Sequence, residues 1–382
     1  MVKTIKLTLL SFIILLLTSC WNYKEIDKIA PAAGVSFDYD EKKNSYILTV
    51  EIVNLKNTST GTELLPEYFT SEGKTILDAI RNMISVSGRK IYWSHAKVVF
   101  ISEKIAKRGI IDVLDFIERD TEVRTDMKIV LVKGKKASEI FNTSNKLEKI
   151  VSYHVDEMLE NSIYLSKYPK IELWDLINQI QFDISTAILP VAYIVEDNDR
   201  KIINISGSAI FKEAKMIAFL NDADTKNLLF LRNKVYGGIL PLNNVLGTES
   251  SVSFEIYKSK TKVKPILIDN KILFKINLSV DVALKEVSGQ IDFIEEKKLE
   301  SLKNYAQEKI KNDILNTFYY VRDTYNLDVF GFSKLVKINY PQFWKNNIDR
   351  WESLFSNSEL DIDIKLNIIG TSTTNKIIKV GK

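Results

Sequence analysis

The sequence predicts an α+β protein of more than one domain, with a mixed α/β N-terminal region and a C-terminal antiparallel sheet packed against a long helix. Three observations lead there. Apolar residues at helical and strand spacing alternate through the first half. Two segments of the second half alternate apolar and polar residues at strict period two, Ile272–Leu284 and Leu360–Ile368. Between them runs a helical pattern of about thirty residues, from Ile294 to Arg322, with Leu299, Leu302, Ala306, Ile310 and Leu315 on its inner face.

In chain order, Lys3 and Lys6 precede an uncharged stretch from Leu7 to Leu17. Its length is short of the roughly 20 apolar residues that span a bilayer. It fits the apolar core of a secretory signal peptide, roughly 7–15 residues. The stretch ends in Leu17-Thr18-Ser19-Cys20, one aliphatic and two small residues before a cysteine. That pattern resembles a bacterial lipobox, whose thiol takes a thioether-linked diacylglycerol. Two acyl chains, at about 0.8 kcal/mol per buried methylene, hold a protein stably where one would not. The expected layout is a signal peptide over 1–19, an N-terminal α+β domain over 20–200 and a C-terminal α+β domain over 201–382, the last either whole or divided near residue 260.

A short polar tether follows Cys20, then a strand at Tyr46–Val53 and a loop from Thr58 to Thr62. A helix is predicted over Thr75–Val86 from Ile76, Ala79, Ile80, Met83 and Ile84, with Gly88 ending it. Strands at Ala96–Ile101 and Met127–Val132 bracket a helical pattern at Ile110, Leu114 and Ile117. Leu147, Val151, His154, Val155, Met158 and Leu159 make one helix stripe, and Trp174, Ile177 and Ile180 another. Ala187–Val195 reads as a strand, Ser208–Phe211 with Met216–Leu220 as a hairpin, and Asp224–Arg232 as a short helix.

Composition narrows the chemistry. The chain has 382 residues with 45% apolar content, enough to bury a core without disulfides, and its single cysteine permits no intramolecular one. It also rules out multi-cysteine zinc and iron–sulfur sites. The net charge of +4 comes from interspersed charges with no long basic run, so no nucleic-acid partner is expected. His95 and His154 are the only histidines, which removes His-Glu-x-x-His. The phosphate loop, the dinucleotide fingerprint and the nucleophile elbow are all missing. Ser-x-x-Lys occurs at Ser71, Ser87, Ser94 and Ser259, but no Lys-Thr-Gly accompanies it. No catalytic residue, cofactor or metal site is expected, and the chain reads as a non-enzyme.

Several segments resemble the Ger(x)C family, the lipoprotein C subunits of nutrient germinant receptors of spore formers. Cys20-Trp21-Asn22-Tyr23-Lys24-Glu25-Ile26 opens the likeness, with Asn22 where the family has Asp. Its strongest part is Ser87 to Val99, continuing through Glu103–Gly109 and Asp115–Asp120 to Thr121-Glu122-Val123-Arg124. Gly207–Lys212, Leu327–Phe332 and Trp344 through Trp351 to Phe355 follow in family order. The resemblance implies a non-enzymatic receptor subunit, lipid-anchored through Cys20 on the outer, extracytoplasmic face of the spore inner membrane. Its partners would be the integral-membrane A and B subunits. Within the matched segments, Tyr92, Trp93 and His95 are candidates for partner contact or core packing. Arg119, Asp120, Glu122 and Arg124 are expected to form an ion-pair network at a helix end, or to meet the partner. Asp328 with Phe330-Gly331-Phe332 predicts a tight turn with Gly331 at positive φ. The rival reading is a solute-binding lipoprotein of a membrane transporter, which calls for two doubly wound α/β lobes around a cleft.

Overall fold

The computed structural model describes residues 4–5 and 29–371, apart from 59–60, 135, 146, 185, 269–270 and 290–295. The signal-peptide stretch and Cys20 lie outside the described residues.

The first half builds a nine-stranded mixed sheet, ordered β3-β2-β1-β5-β6-β7-β8-β9, with β4 paired to the start of β1. Its centre is parallel: β1 (Ile29–Asp40), β5 (Val98–Ser102), β6 (Lys128–Val132) and β7 (Thr186–Asp197). Antiparallel strands flank it, β2 (Ser45–Thr58) and β3 (Gly61–Gly73) on one side, β8 (Arg200–Lys212) and β9 (Lys215–Leu220) on the other. The central strands read as unbroken apolar runs because both faces are covered. Val99, Ile101, Ile129 and Leu131 join the main core. Val98, Phe100, Val130 and Val132 pack on the opposite face under α4 (Val151–Glu160).

The main core also receives α1 (Ile76–Ser87), α2 (Glu103–Arg108), α3 (Ile111–Arg119) and α5 (Leu173–Gln181). Two stripes differ from expectation. Leu147 precedes α4 and is 92% exposed, and Trp174 turns outward at 48%. In α5 the buried face is Leu173, Leu176 and Ile177, one position away from the predicted stripe. The tether after Cys20 gives way early to β1, whose small residues (Ala30, Ala32, Ala33, Gly34) mask its strand pattern. The expected loop at 58–62 leads straight into β3, an edge strand, where Pro66 is tolerated.

The second half holds a four-stranded sheet, β10 (Gly238–Leu242), β11 (Ser251–Ile268), β12 (Lys271–Ser288) and β13 (Glu359–Thr371). Both predicted period-two strands are present. The pairing is antiparallel through β12, but β13 joins β12 in parallel. The reason is the crossover: α7 (Glu296–Tyr325), α8 (Phe332–Asn339), α9 (Pro341–Asn347) and α10 (Trp351–Ser356) carry the chain back to the end where β12 began. The buried face of α7 runs Leu302, Ala306, Ile310, Ile314, Phe318 and Val321, and Leu299 and Leu315 are only partly buried. This is one sheet with helices, not the second lobe of a doubly wound pair.

The expected division at residue 200 falls beside the β7–β8 turn at Asn198 and Asp199, both at positive φ. The first sheet continues across it, because β8 and β9 complete its edge. Likewise β11 runs without a break through residue 260. The two halves share one apolar core. They are also clasped by polar contacts: Thr186 Oγ1 donates to Asp328 O at 2.8 Å, and Lys337 Nζ and Trp344 Nε1 donate to Asp183 at 2.7 and 3.0 Å. From α6 (Asp222–Leu231) the chain passes directly to Arg232, which donates to Val329 O at 2.6 Å and Gln179 Oε1 at 3.2 Å. Burial pulls this guanidinium down to about 10, still charged at neutral pH.

Candidate partner-contact surface

Helix α1, strand β4 (Lys90–Tyr92) and the loop after α3 meet at one side of the first sheet. The Thr75 side chain accepts the Asp78 N–H and starts α1, and Gly88 at φ 69° ends it. Inward, α1 buries Ile76, Ala79, Ile80 and Met83. Outward it leaves Leu77 and Val86 half exposed and Ile84 38% exposed. Ile84 therefore lies at the edge of the predicted stripe, not in the core.

A cavity of about 220 Å³ runs between Ile80, Arg81 and Ile84 of α1, Lys90, Ile91 and Trp93, and Asp120 to Glu122. It adjoins a larger one of about 680 Å³, walled by Tyr39, Tyr46, Arg108, Asp112, Phe116 and Arg119. Leu77, Asp120 and Thr121 border both, so the two form one groove. Its floor is aromatic. The Tyr39 and Tyr46 rings meet edge-on at 5.1 Å, and the Arg108 guanidinium lies 4.2 Å above Tyr39. Tyr46 donates to the Asp112 carboxylate. Burial, then that carboxylate, push the phenol up to about 12, so it stays neutral.

Of the seven candidate residues, Trp93, Arg119, Asp120 and Glu122 line this groove, and Tyr92, His95 and Arg124 are not part of its lining. Trp93 is core, at 4% exposure. His95 is exposed, its ring 6.1 Å from that of Tyr92. Of the four residues expected to form a network, Arg119, Glu122 and Arg124 each have an ion-pair partner outside the four. Arg119 pairs back along its helix with Asp115 at 2.8 Å, Arg124 with Asp126 at 2.5 Å, and Glu122 with Lys90 at 2.7 Å. Asp120 accepts the Glu122 N–H at 2.9 Å and shapes the turn. The groove's apolar and aromatic walls were not foreseen; Leu77 and Ile84, seven apart outside the buried stripe, are the signal that could have found them.

The surface offers apolar contact rimmed by charge. Among the described residues no cluster of His, Cys, Asp and Glu could hold a metal ion, and no helix is long and apolar enough to cross a membrane. His154 is half-buried and burial holds its imidazole below the ordinary value. A separate cavity of about 660 Å³ lies between α6, β10 and α7, where half-buried Lys226 donates to Ile239 O at 2.7 Å.

Two family models match end to end. "Spore germination protein N-terminal domain" covers residues 22–194, and "Spore germination B3/GerAC like, C-terminal" covers 206–372. The chain belongs to the Ger(x)C family. Among Ger(x)C proteins it is 26% identical to spore germination protein B3 of Bacillus subtilis (strain 168) over 385 residues, 97% of this chain and 99% of the relative. It is 24% identical to spore germination protein KC of the same organism, covering 95% and 94%. The crystal structure of the GerBC protein superposes with a TM-score of 0.60 at 21% identity, over 88% of this chain and 97% of that one. That likeness bears on the fold, a multidomain α+β arrangement.

Proposed function

We propose that this chain is the lipid-anchored, non-enzymatic C subunit of a spore nutrient germinant receptor. Cys20 carries a diacylglycerol and holds the protein on the outer face of the spore inner membrane. The groove along α1, β4 and the 120–124 loop meets the integral-membrane A and B subunits, supporting receptor assembly and passage of the germination signal. One observation carries the reading: family matches over residues 22–194 and 206–372 begin two residues past the cysteine of a lipobox-like Leu17-Thr18-Ser19-Cys20. Aromatic and apolar side chains rimmed by Arg81, Arg119 and Asp120 suit a protein partner.

Intact mass and detergent-phase partitioning of the chain taken from spores test the anchor. The expected species begins at Cys20 and bears the lipid. A full-length chain, or a cleaved one with a free thiol, removes the anchor from the account. Affinity capture of the same chain is expected to bring down two integral-membrane subunits, and Leu77→Asp combined with Ile84→Asp to lose them.

A further inference from the structure

Strand β2 stays with β1 until Ile52, opposite Ala32. Beyond it, Val53 to Thr58 pair with β3 as a two-stranded ribbon, with Val53 opposite Pro66, Leu55 opposite Leu64 and Lys56 opposite Glu63. Side chains of an antiparallel pair alternate between faces, and directly opposed residues share one. Val53, Leu55, Leu64 and Pro66 therefore form one apolar face, and Asn54, Lys56, Glu63 and Glu67 lie on the other. The polar face is satisfied: Lys56 pairs with Glu67 at 3.0 Å, Lys149 with Glu63 at 2.7 Å, and Asn54 donates to Glu67 at 2.9 Å. The apolar face is not covered by this chain: Leu55 is 66% and Leu64 49% exposed.

The chain enters the sheet at this same end. Ile29, the first residue of β1, pairs with Lys90, so Arg89 and Lys90 also stand here. Eight residues lie between Cys20 and Ile29, and the nine steps from one to the other span at most about 30 Å when fully extended. The ribbon runs six residues past Ile52, about 20 Å of strand, whereas Ile29 lies only about 10 Å beyond Ala32. The ribbon thus projects roughly 10 Å further past this end of the sheet than Ile29, the residue that the tether feeds.

We infer that the bilayer surface covers this ribbon, with Leu55 and Leu64 seated in the interfacial layer of the membrane that holds Cys20, and Arg89 and Lys90 at headgroup level. The inference rests on the proposed anchor at Cys20. Two apolar tips beside cations match the interface of a bilayer, into which such faces sink about 5–10 Å. The ribbon is then a second attachment point that fixes how the protein stands on the membrane.

The test uses the lipidated full-length chain in vesicles of phosphatidylglycerol and phosphatidylethanolamine. Cys20 is the only cysteine and its thiol is consumed by the lipid, so Leu55→Cys and, separately, Leu64→Cys each add one reactive thiol for an environment-sensitive fluorophore. The expected result at both positions is emission at shorter wavelength, lost when spin-labelled lipid is included, with neither change at a Tyr257→Cys control. Vesicle-bound protein whose labels at 55 and 64 keep aqueous emission overturns the ribbon and leaves the anchor standing. Protein that carries no lipid and fails to float with the vesicles overturns the anchor, and the ribbon with it.

Discussion

Glu51 is fully buried on β2, and its two carboxylate oxygens accept the N–H groups of Val151 and Ser152 at 2.7 Å each, at the start of a helix a hundred residues away. Asp38 does the same for Ala137 and Ser138 at 2.7 and 3.0 Å, and Asp328 for Phe332 and Ser333 at 3.0 and 2.5 Å. Burial pushes all three carboxyls up, and the backbone donors pull them part of the way back. Glu51→Ala leaves two buried N–H groups without an acceptor and is expected to cost about 1–3 kcal/mol in urea denaturation. Only the Asp328 turn was legible in the sequence, because acceptor and donors are four and five residues apart and Gly331, at φ 80°, sits between. For Asp38 and Glu51 the separation hides the pairing. Asp183 behaves oppositely: Lys337, then Trp344, hold its carboxyl below the ordinary 3.8. A lowered value contributes stability that is present above 3.8 and is lost as pH falls through the native value. In acid titrations followed by tryptophan fluorescence, wild type is expected to lose stability in that window relative to Asp183→Ala, and the two to converge below it.

The elements most legible in the sequence were those with one apolar and one polar side, because the alternation is then written in the residues. β12 and β13 fall in this class, as do α1 and most of α7. β1 failed because both its faces are covered and its side chains are small, and β3 because an edge strand carries charges and a proline. The parallel entry of β13 was illegible, since pairing direction depends on where four intervening helices return the chain. Trp344 and Trp351 stand seven apart in the chain. They sit on two helices with a 3₁₀ turn between, yet their rings still meet at 5.1 Å. Phe318 is the hub of this layer, fully buried on α7 against Phe330, Phe332 and Phe355. Phe318→Ala is expected to cost about 3–5 kcal/mol, read by chemical denaturation.

On the scale of the whole molecule, a shared core and the Asp183, Thr186 and Arg232 contacts join the two family regions. The groove beside α1 stands apart from that junction and is free to meet a partner without disturbing the fold. Leu77→Asp with Ile84→Asp, both at exposed positions, is expected to leave stability within about 0.5 kcal/mol while weakening nutrient response. The groove was legible in part: the matched segments around residues 87–124 include Trp93, Arg119, Asp120 and Glu122 of its lining, while Leu77, Ile84, Tyr39 and Tyr46 come from α1, β1 and β2 and were not singled out as site residues. Nutrient-triggered germination of spores carrying Cys20→Ala, beside a full deletion and a wild-type control, tests the anchored-subunit account most directly. Loss of the response to one nutrient class on deletion, with a weakened response in Cys20→Ala, is the predicted result. Normal germination of both strains with every nutrient, in a background stripped of other germinant receptors, would contradict it.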